Sequence, residues 1–432
     1  MPRAQARVLV VGAGGREHAL AWSLLRSPRV GRVYVAPGNG GTAGEPGMEN
    51  VPHGADDPEA LLDLALSRQV DLTVVGPEGP LAAGLADRFQ AAGLTVFGPT
   101  GRAARLESTK VWAREFMARH GIPHPWFTVA DDVETAERAV REVGGHCVVK
   151  ADGLAAGKGV LVCDGVESAL RAVRTVMVER KFGAAGARAL IENRMAGPEI
   201  SLMVATDGRD YVLFPPAQDY KRLEEGDRGP NTGGMGSYAP APIATPDLVE
   251  RVRREVVEPT LAGMRAEGCP FRGCLYCGLM LTEIGPVVIE FNVRFGDPET
   301  QSQLPVLGVD LYEVLLGAAC GDLGSSGTPL RPGLASVCVV LASEGYPESS
   351  SPATPIQGIE AAERVEGVKV FHAGTRAQDG GVVAAGGRVL NVTCVRGSLG
   401  EAVVGAYEAI GPQALHFDRM RYRRDIAARA LT

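Results

Sequence analysis

The first hundred residues alternate short apolar runs with amphipathic segments, and no other feature restricts the fold as tightly. The runs ARVLVVG (6–12), RVYVAPG (32–38), DLTVVGPE (71–78) and LTVFGPT (94–100) contain or end in Gly or Pro, and REHALAWSLLRS (16–27) and PEALLDLALSRQ (58–69) between them carry helical spacing. That rhythm predicts a parallel sheet wrapped by helices. Sites in such sheets gather beyond the carboxyl ends of the strands, where Gly14, Gly15, Arg16, Asn39 and Glu78 fall.

The rest reads as α+β, so the chain as a whole is a mixed α/β and α+β multidomain protein. A helical stretch over about 101–120 leads to a Pro-marked boundary at HGIPHPWF. A helix (132–143), the strand CVVKAD, a Gly-rich loop and the strand VLVCD (160–164) follow, and the two strands predict a hairpin. Next come a helix (166–180), ALIENRM (189–195), a long strand region from Glu199 to Lys221, a polar loop, a helix (246–267), and the strands GCLYCGLMLTE and PVVIEFNVRF. GDLGSSGTPLRPG (321–333) reads as a linker to a mixed α/β end piece. At 432 residues the chain has room for roughly three domains of ~150 residues, and it can bury a core without disulfide or metal staples.

Composition removes several classes of function. A net charge of −7 argues against a nucleic-acid or anionic-membrane partner, and the basic string DRMRYRRD (418–425) reads as a solvated helix start. No run approaches the ~18 apolar residues of a membrane span, and the N-terminus shows no signal peptide. Eight scattered cysteines predict reduced thiols and a cytoplasmic location. Cys274 and Cys277 form a CxxC, but inside a buried strand and without a second Cys/His pair, so neither zinc nor redox chemistry is expected.

Two glycine-rich motifs miss familiar patterns. GAGGRE (12–17) has Glu17 where a dinucleotide fingerprint needs its third glycine, and a carboxylate there would face a pyrophosphate. The turn could still hold one phosphate on backbone N–H groups with Arg16 beside it, or be a plain βα turn. KADGLAAGKGV (150–160) is one residue short of a P-loop, with Gly159 where the metal-binding hydroxyl should stand. It reads either as a flap in which Gly153, Gly157 and Gly159 let the backbone approach phosphates flanked by Lys150 and Lys158, or as a hairpin with solvated lysines.

The strand VIEFNVRFGDPETQ (288–301) carries the most chemistry. Alternation puts Glu290, Asn292 and Arg294 on one face and Phe291, Val293 and Phe295 on the other. The acid and amide oxygens would suit a hydrated Mg²⁺ (or Mn²⁺) bridging phosphates, with Arg294 holding a transferring phosphoryl group; an exposed edge strand is the alternative. Asp297 and Pro298 look like an N-cap and first helical turn, which competes with a ligand role for Asp297.

KADGLAAGKGV, GPNTGGMGSYAPAP and IEFNVRFGDPETQ, in this order, resemble the ATP-grasp ligases. With VGAGGREHALAW, APGNGGTAG, VVGPEGPL and HAGT (372–375), the chain from about 7 to 427 is similar to the glycinamide ribonucleotide synthetases, the phosphoribosylamine–glycine ligases. The resemblance implies an N-terminal α/β domain (1–107), a small ATP-grasp lobe with the flap (108–196), a large lobe with the metal site (197–326) and a C-terminal α/β domain (327–432). It implies ATP-dependent ligation of glycine to 5-phosphoribosylamine through glycyl phosphate, in purine biosynthesis, by a monomer or weak homodimer whose partners are these small molecules. Carried over residue by residue, Glu290 and Asn292 match metal ligands. Lys110 and Lys150, the flap residues Gly153, Gly157, Lys158 and Gly159, and the hinge residues Glu192, Asn193, Met195 and Glu199 match the ATP site. Gly14, Gly15, Arg16, Glu17, Asn39, Glu78 and the loop Asn231, Thr232, Gly233, Gly234 would serve the substrates. Asp219, Lys221, Arg294 and Asp297 would line the acyl-transfer centre. Asn193 and Arg194 depart from the commoner acidic-aromatic hinge. A ligase for another acid or amine, and a regulatory protein that binds ATP without turnover, are the rival readings.

Overall fold

The computed structural model describes residues 5–155, 159–324, 330–350 and 352–431. Gly157 and Lys158 of the expected flap, and the centre of the 321–333 linker, lie outside them.

The N-terminal rhythm builds a five-stranded sheet in the order Met48–Asn50, Val30–Pro37, Ala6–Gly12, Leu72–Val75, Val96–Phe97, parallel throughout. The chain leaves Ala6–Gly12 first to one side and then to the other, so Gly12–Gly15 stands where the strand order reverses, the usual place for a ligand in such sheets. Met48–Asn50 was not expected; it is three residues long and two of them are polar.

The middle region forms two antiparallel sheets. Phe127–Ala130, Ala189–Asn193, Cys147–Ala151 and Val160–Val162 make the smaller lobe, with the expected hairpin between the last two in sequence register Val148 to Val162. Tyr211–Leu213, Glu199–Thr206, Gly273–Thr282 and Gly285–Asn292 make the larger. Leu9 and Val11 of the N-terminal sheet share one apolar core with Leu202, Val204 and Leu275 of the larger lobe, so the two are packed as one body. A third antiparallel sheet runs Gln218–Asp219, Gly236–Ala239, Ala335–Ala342, Arg388–Arg396, Val368–His372. It pairs strands from both sides of the 321–333 linker, and that brings the C-terminal region against the middle of the chain.

Three sequence readings need correction. The stretch 101–120 is two helices, Arg105–Ser108 and Lys110–Arg119, because Thr109 is extended; the break places Lys110 in a first helical turn. The region 199–221 is cut by the Asp207–Asp210 turn and by Pro215 and Pro216 into Glu199–Thr206, Tyr211–Leu213 and Gln218–Asp219. The string 418–425 is neither a helix start nor solvated throughout. Arg423 is 1% exposed; its guanidinium meets Asp425 at 2.6 Å and Asp227 at 2.8 Å. Two partners satisfy a buried cation that local composition alone would leave in water.

Candidate active site

Glu290, Asn292 and Arg294 do share a face, with Phe291, Val293 and Phe295 buried on the other. A bulge opposite Gly278 and Leu279 turns out Ile289, whose carbonyl accepts from Lys150 Nζ at 2.9 Å and Arg114 Nη2 at 3.0 Å. Burial pushes the Glu290 carboxyl up, but the combined attraction of Lys221, Lys150, Lys110 and Arg294 prevails and holds it at about 2. It is therefore ionised at neutral pH and remains 39% open to the cleft. Lys221 Nζ stands 2.9 Å from Glu199 and 3.5 Å from Glu290, and these carboxylates raise its pKa despite burial. Asp219, two residues earlier, is raised as well. Burial, helped by Glu299, Glu199 and Glu290 and opposed by Lys221, pushes its carboxyl up to about 7.

Arg294 is held by more groups than the strand pattern announces. Nε lies 3.3 Å from Glu78 and Nη2 3.3 Å from Glu107, while Nη2 also donates to Asn292 Oδ1 at 3.1 Å. Glu107, absent from the sequence-based set, accepts the Val293 N–H at 2.7 Å as well. Asp297 is not an N-cap: the helix Glu299–Gln303 begins after Pro298. The Asp297 carboxylate instead takes Gln301 Nε2 at 2.8 Å and lies 3.3 Å from Arg388. Burial raises its pKa, but Arg388 and Arg16 outweigh that and keep it below the ordinary range.

The small lobe supplies two lysines. Lys110 Nζ donates to the Gly153 carbonyl at 2.8 Å, tying helix to flap, and Gly159 closes the hairpin base through its carbonyl to Ala151 N–H at 2.9 Å. Lys150 pairs with Glu192 at 2.8 Å, and Arg114 meets the same carboxylate at 2.6 Å. All three side chains are under a tenth exposed. Of the three ammonium N–H bonds of Lys150, Glu192 and Ile289 use two, leaving one for a ligand. Asn193 ends its strand exposed, and Met195 follows half-buried. Arg114 was also missed, although its i+4 spacing from Lys110 puts both on one helix face.

Glu17 does not face a ligand. It is 2% exposed and folds back under its own helix, with Oε2 on the Gly14 N–H at 2.6 Å and Oε1 on Arg16 Nε at 2.6 Å. A Cβ on Gly12 or Gly76 would strike that side chain. Arg16 also donates to the Phe295 carbonyl at 3.0 Å, linking the glycine turn to the segment just beyond the Gly285–Asn292 strand. The Asn39 amide is fully engaged, donating to Ala13 and His372 carbonyls at 2.9 and 2.8 Å and accepting from Gly41 and Thr42. Gly15 packs against Asn391 and Gln301 with no room for a side chain. Thr232 accepts from Gly234 N–H at 3.0 Å and donates to Lys221 O at 2.9 Å, and Gly233 N–H donates to Tyr346 at 2.8 Å. Asn231, at the end of Arg228–Asn231, is exposed.

The donor set tests the metal expectation. Glu290 and Asn292 offer hard oxygens, and Glu290 is ionised. Among the described residues no group of three or more His, Cys, Asp or Glu could enclose an ion alone. The pair therefore fits a Mg²⁺-like cation that brings phosphate and water as its other ligands, not a caged structural ion. Among the described residues no helix is long and apolar enough to cross a membrane.

Comparison with known proteins bears on the same residues. Three family models match in order: the phosphoribosylglycinamide synthetase N domain over 6–107, its ATP-grasp (A) domain over 108–300 and its C domain over 336–429. A phosphoribosylamine–glycine ligase of Allochromatium vinosum is 47% identical, covering 98% of this chain and 99% of its own length. The crystal structure of phosphoribosylamine–glycine ligase from Thermotoga maritima matches with a TM-score of 0.83 at 34% identity, over 98% of this chain and all (100%) of that one. The biotin carboxylase domain of the Hydrogenobacter thermophilus 2-oxoglutarate carboxylase shares the fold, with a TM-score of 0.71 at 18% identity over 97% and 92% of the two chains. Such a fold and family imply ATP and a divalent metal in general. With three family models matched in order and a relative 47% identical over nearly its whole length, the chain belongs to the phosphoribosylglycinamide synthetase (phosphoribosylamine–glycine ligase) family of ATP-grasp enzymes.

Proposed function

We propose that the chain joins glycine to 5-phosphoribosylamine through glycyl phosphate, giving glycinamide ribonucleotide, ADP and phosphate in purine biosynthesis. A glycine carboxylate oxygen attacks the γ-phosphorus of ATP and ADP leaves. The amine nitrogen of phosphoribosylamine then attacks the activated carbonyl; the C–O bond to phosphate breaks and the amine gives up a proton. The observation that carries this reading is the ionised Glu290 facing Lys150 and Lys221 across one cleft, beside the Arg294–Asn292 pair, in a chain of this family.

In this reading Lys110 and the third N–H of Lys150 meet ATP phosphates, and the Gly-rich segment containing Gly153 and Gly159 keeps water from the acyl phosphate. Because both Glu192 oxygens are taken by cations, the adenine meets backbone groups of the 192–195 strip, and Glu199 meets the ribose. Glu290 and Asn292 would hold Mg²⁺ or Mn²⁺, which when bound neutralises charge on the phosphates. Arg294 steadies the transferring phosphoryl group. Asp219 and Lys221, whose pKa values are both raised at one strand end, place the amine and its departing proton. The enzyme works as a cytoplasmic monomer or weak homodimer, with domains near 1–107, 108–196, 197–326 and 327–432.

The test is ADP release by purified enzyme given ATP and Mg²⁺. Release should require both glycine and freshly generated phosphoribosylamine. Turnover that ignores glycine and answers to another acid would favour a different ligase, and tight ATP binding without turnover would favour a regulatory protein.

A further inference from the structure

A cavity of about 440 Å³ opens between the glycine turn of the N-terminal sheet and the C-terminal region. Its walls include Gly14, Asn39, Asp297, Gly374, Thr375 and Arg388, and of all its lining residues only Asp297 and Arg388 are charged. The other polar walls are already spent. Asn39 has no free donor, as described above, and the Thr375 hydroxyl lies 3.1 Å from both Gly40 N–H and His372 Nδ1. Arg388 differs. Its Nη1 donates to the carbonyls of Gly233 at 2.7 Å and Asp297 at 2.9 Å, which fixes the guanidinium plane. Among the described residues Nε and Nη2 form no hydrogen bond, and the side chain is 21% exposed.

Resting on the ligase reading, we propose that Arg388 grips the 5-phosphate of the ribosyl substrate, so that the C-terminal region supplies the anion-binding wall of the site. A guanidinium pinned through one nitrogen presents its remaining N–H edge in a fixed plane, the geometry that suits two phosphate oxygens at once. The neighbouring Asp297 carboxylate, 3.3 Å from Arg388, repels a second anion and attracts an amine. A small molecule with phosphate at one end and an amine at the other matches this pair in one orientation only. That orientation turns the amine toward Asp297 and the Arg294 cluster, where the acyl group would arrive. It also gives the HAGT string a purpose: Thr375 fastens the C-terminal wall to Gly40.

The test uses ribose 5-phosphate and ribose, both stable, titrated calorimetrically into the full-length enzyme, with Arg388→Met and Arg388→Lys beside the wild type. Ribose 5-phosphate should bind and ribose should not. Arg388→Met should weaken the phosphate ester about 10- to 100-fold, the range for a lost charge-assisted pair, and Arg388→Lys less. ATP affinity should stay within about twofold in both, because the ATP lobe is elsewhere, and circular dichroism checks folding. In the wild type, ribose 5-phosphate should compete with phosphoribosylamine and not with ATP. Equal binding by wild type and Arg388→Met, or competition with ATP alone, would overturn the inference even with turnover intact. Ribose 5-phosphate binding that depends on Arg388 in an enzyme without ligase turnover would instead overturn the proposed reaction and leave the phosphate grip standing.

Discussion

Arg294 Nη2 lies 3.3 Å from Glu107 Oε1, and the other oxygen of that carboxylate takes the Val293 N–H at 2.7 Å. One acid from a four-residue helix thus fixes both the backbone and the side chain just beyond the Gly285–Asn292 strand. Burial pushes the Glu107 carboxyl up, with Arg294 pulling against it; an amide in its place would keep an acceptor for the Val293 N–H but turn a donor toward the Arg294 guanidinium. Glu107→Gln removes one of two carboxylates from the buried Arg294 and should cost up to about 3–5 kcal/mol of folding stability, with Glu78 still in place, while lowering kcat/KM about 10- to 100-fold as Arg294 loses its aim. Urea denaturation and steady-state kinetics on the same preparation check this; full activity would show that Glu107 does not aim Arg294.

Glu290 gives the plainest outcome. Glu290→Ala removes an ionised carboxylate and releases Lys221 from one of its two ion pairs, the one with Glu199 being the other. ADP release should fall below detection, with the circular dichroism spectrum and melting transition close to wild type, since the group is 39% exposed and supports no core packing. Near-normal turnover would remove Glu290 from the metal site.

Much of this site was legible in the sequence wherever chemistry follows a local period. Strand alternation placed Glu290, Asn292 and Arg294 on one face, and the glycine-punctuated rhythm located Gly14–Arg16 beyond a strand end. The partners that aim those groups left no local trace. Glu107 and Arg294 are brought together from distant parts of the sequence, and Arg388 and Asp297 meet only because a C-terminal strand joins a sheet begun at Gln218–Asp219. Arg423 looked like surface because its partner Asp227 lies in a distant loop. Glu17 was misread for the opposite reason: its partners are so local, the Gly14 N–H and Arg16, that it caps its own helix instead of meeting a ligand. Arg114 alone offered a usable sign, the four-residue step from Lys110.

Asp219 makes a prediction about pH. Its carboxyl is pushed from 3.8 to about 7, chiefly by burial. Between those values the folded protein holds a proton that the unfolded chain has released, so this site's contribution to stability falls as pH rises and levels off above about 7. Asp219→Asn, which cannot ionise, should match wild type near about pH 4 and exceed it near about pH 8 in denaturant midpoint. The reverse order at the higher pH would mean that the Asp219 anion is stabilised by Lys221 and not opposed by Glu199, Glu290 and Glu299. If Asp219 also takes the amine's proton, wild-type activity should rise through about pH 7 and the variant should lose that limb.

Arg114 ties the small lobe to the Gly285–Asn292 strand. Its guanidinium meets Glu192 at 2.6 Å and the carbonyls of Val288 and Ile289 at 2.9 and 3.0 Å, and Glu192 in turn holds Lys150 at 2.8 Å. Removing one partner of such a buried cluster costs about 3–5 kcal/mol, so Arg114→Ala should be unstable and uninformative about catalysis. Arg114→Lys keeps the charge but cannot reach a carboxylate and two carbonyls at once. Lys150 and Glu290, the cation and the anion assigned above to the ATP and metal site, then lose their common brace. The expected result is a KM for ATP raised about tenfold, or about 1.4 kcal/mol, with the KM for glycine within about twofold. ATP affinity measured by calorimetry without the other substrates should fall by the same factor. A kcat loss with unchanged ATP affinity would place Arg114 in the chemistry and not in the alignment of the two lobes.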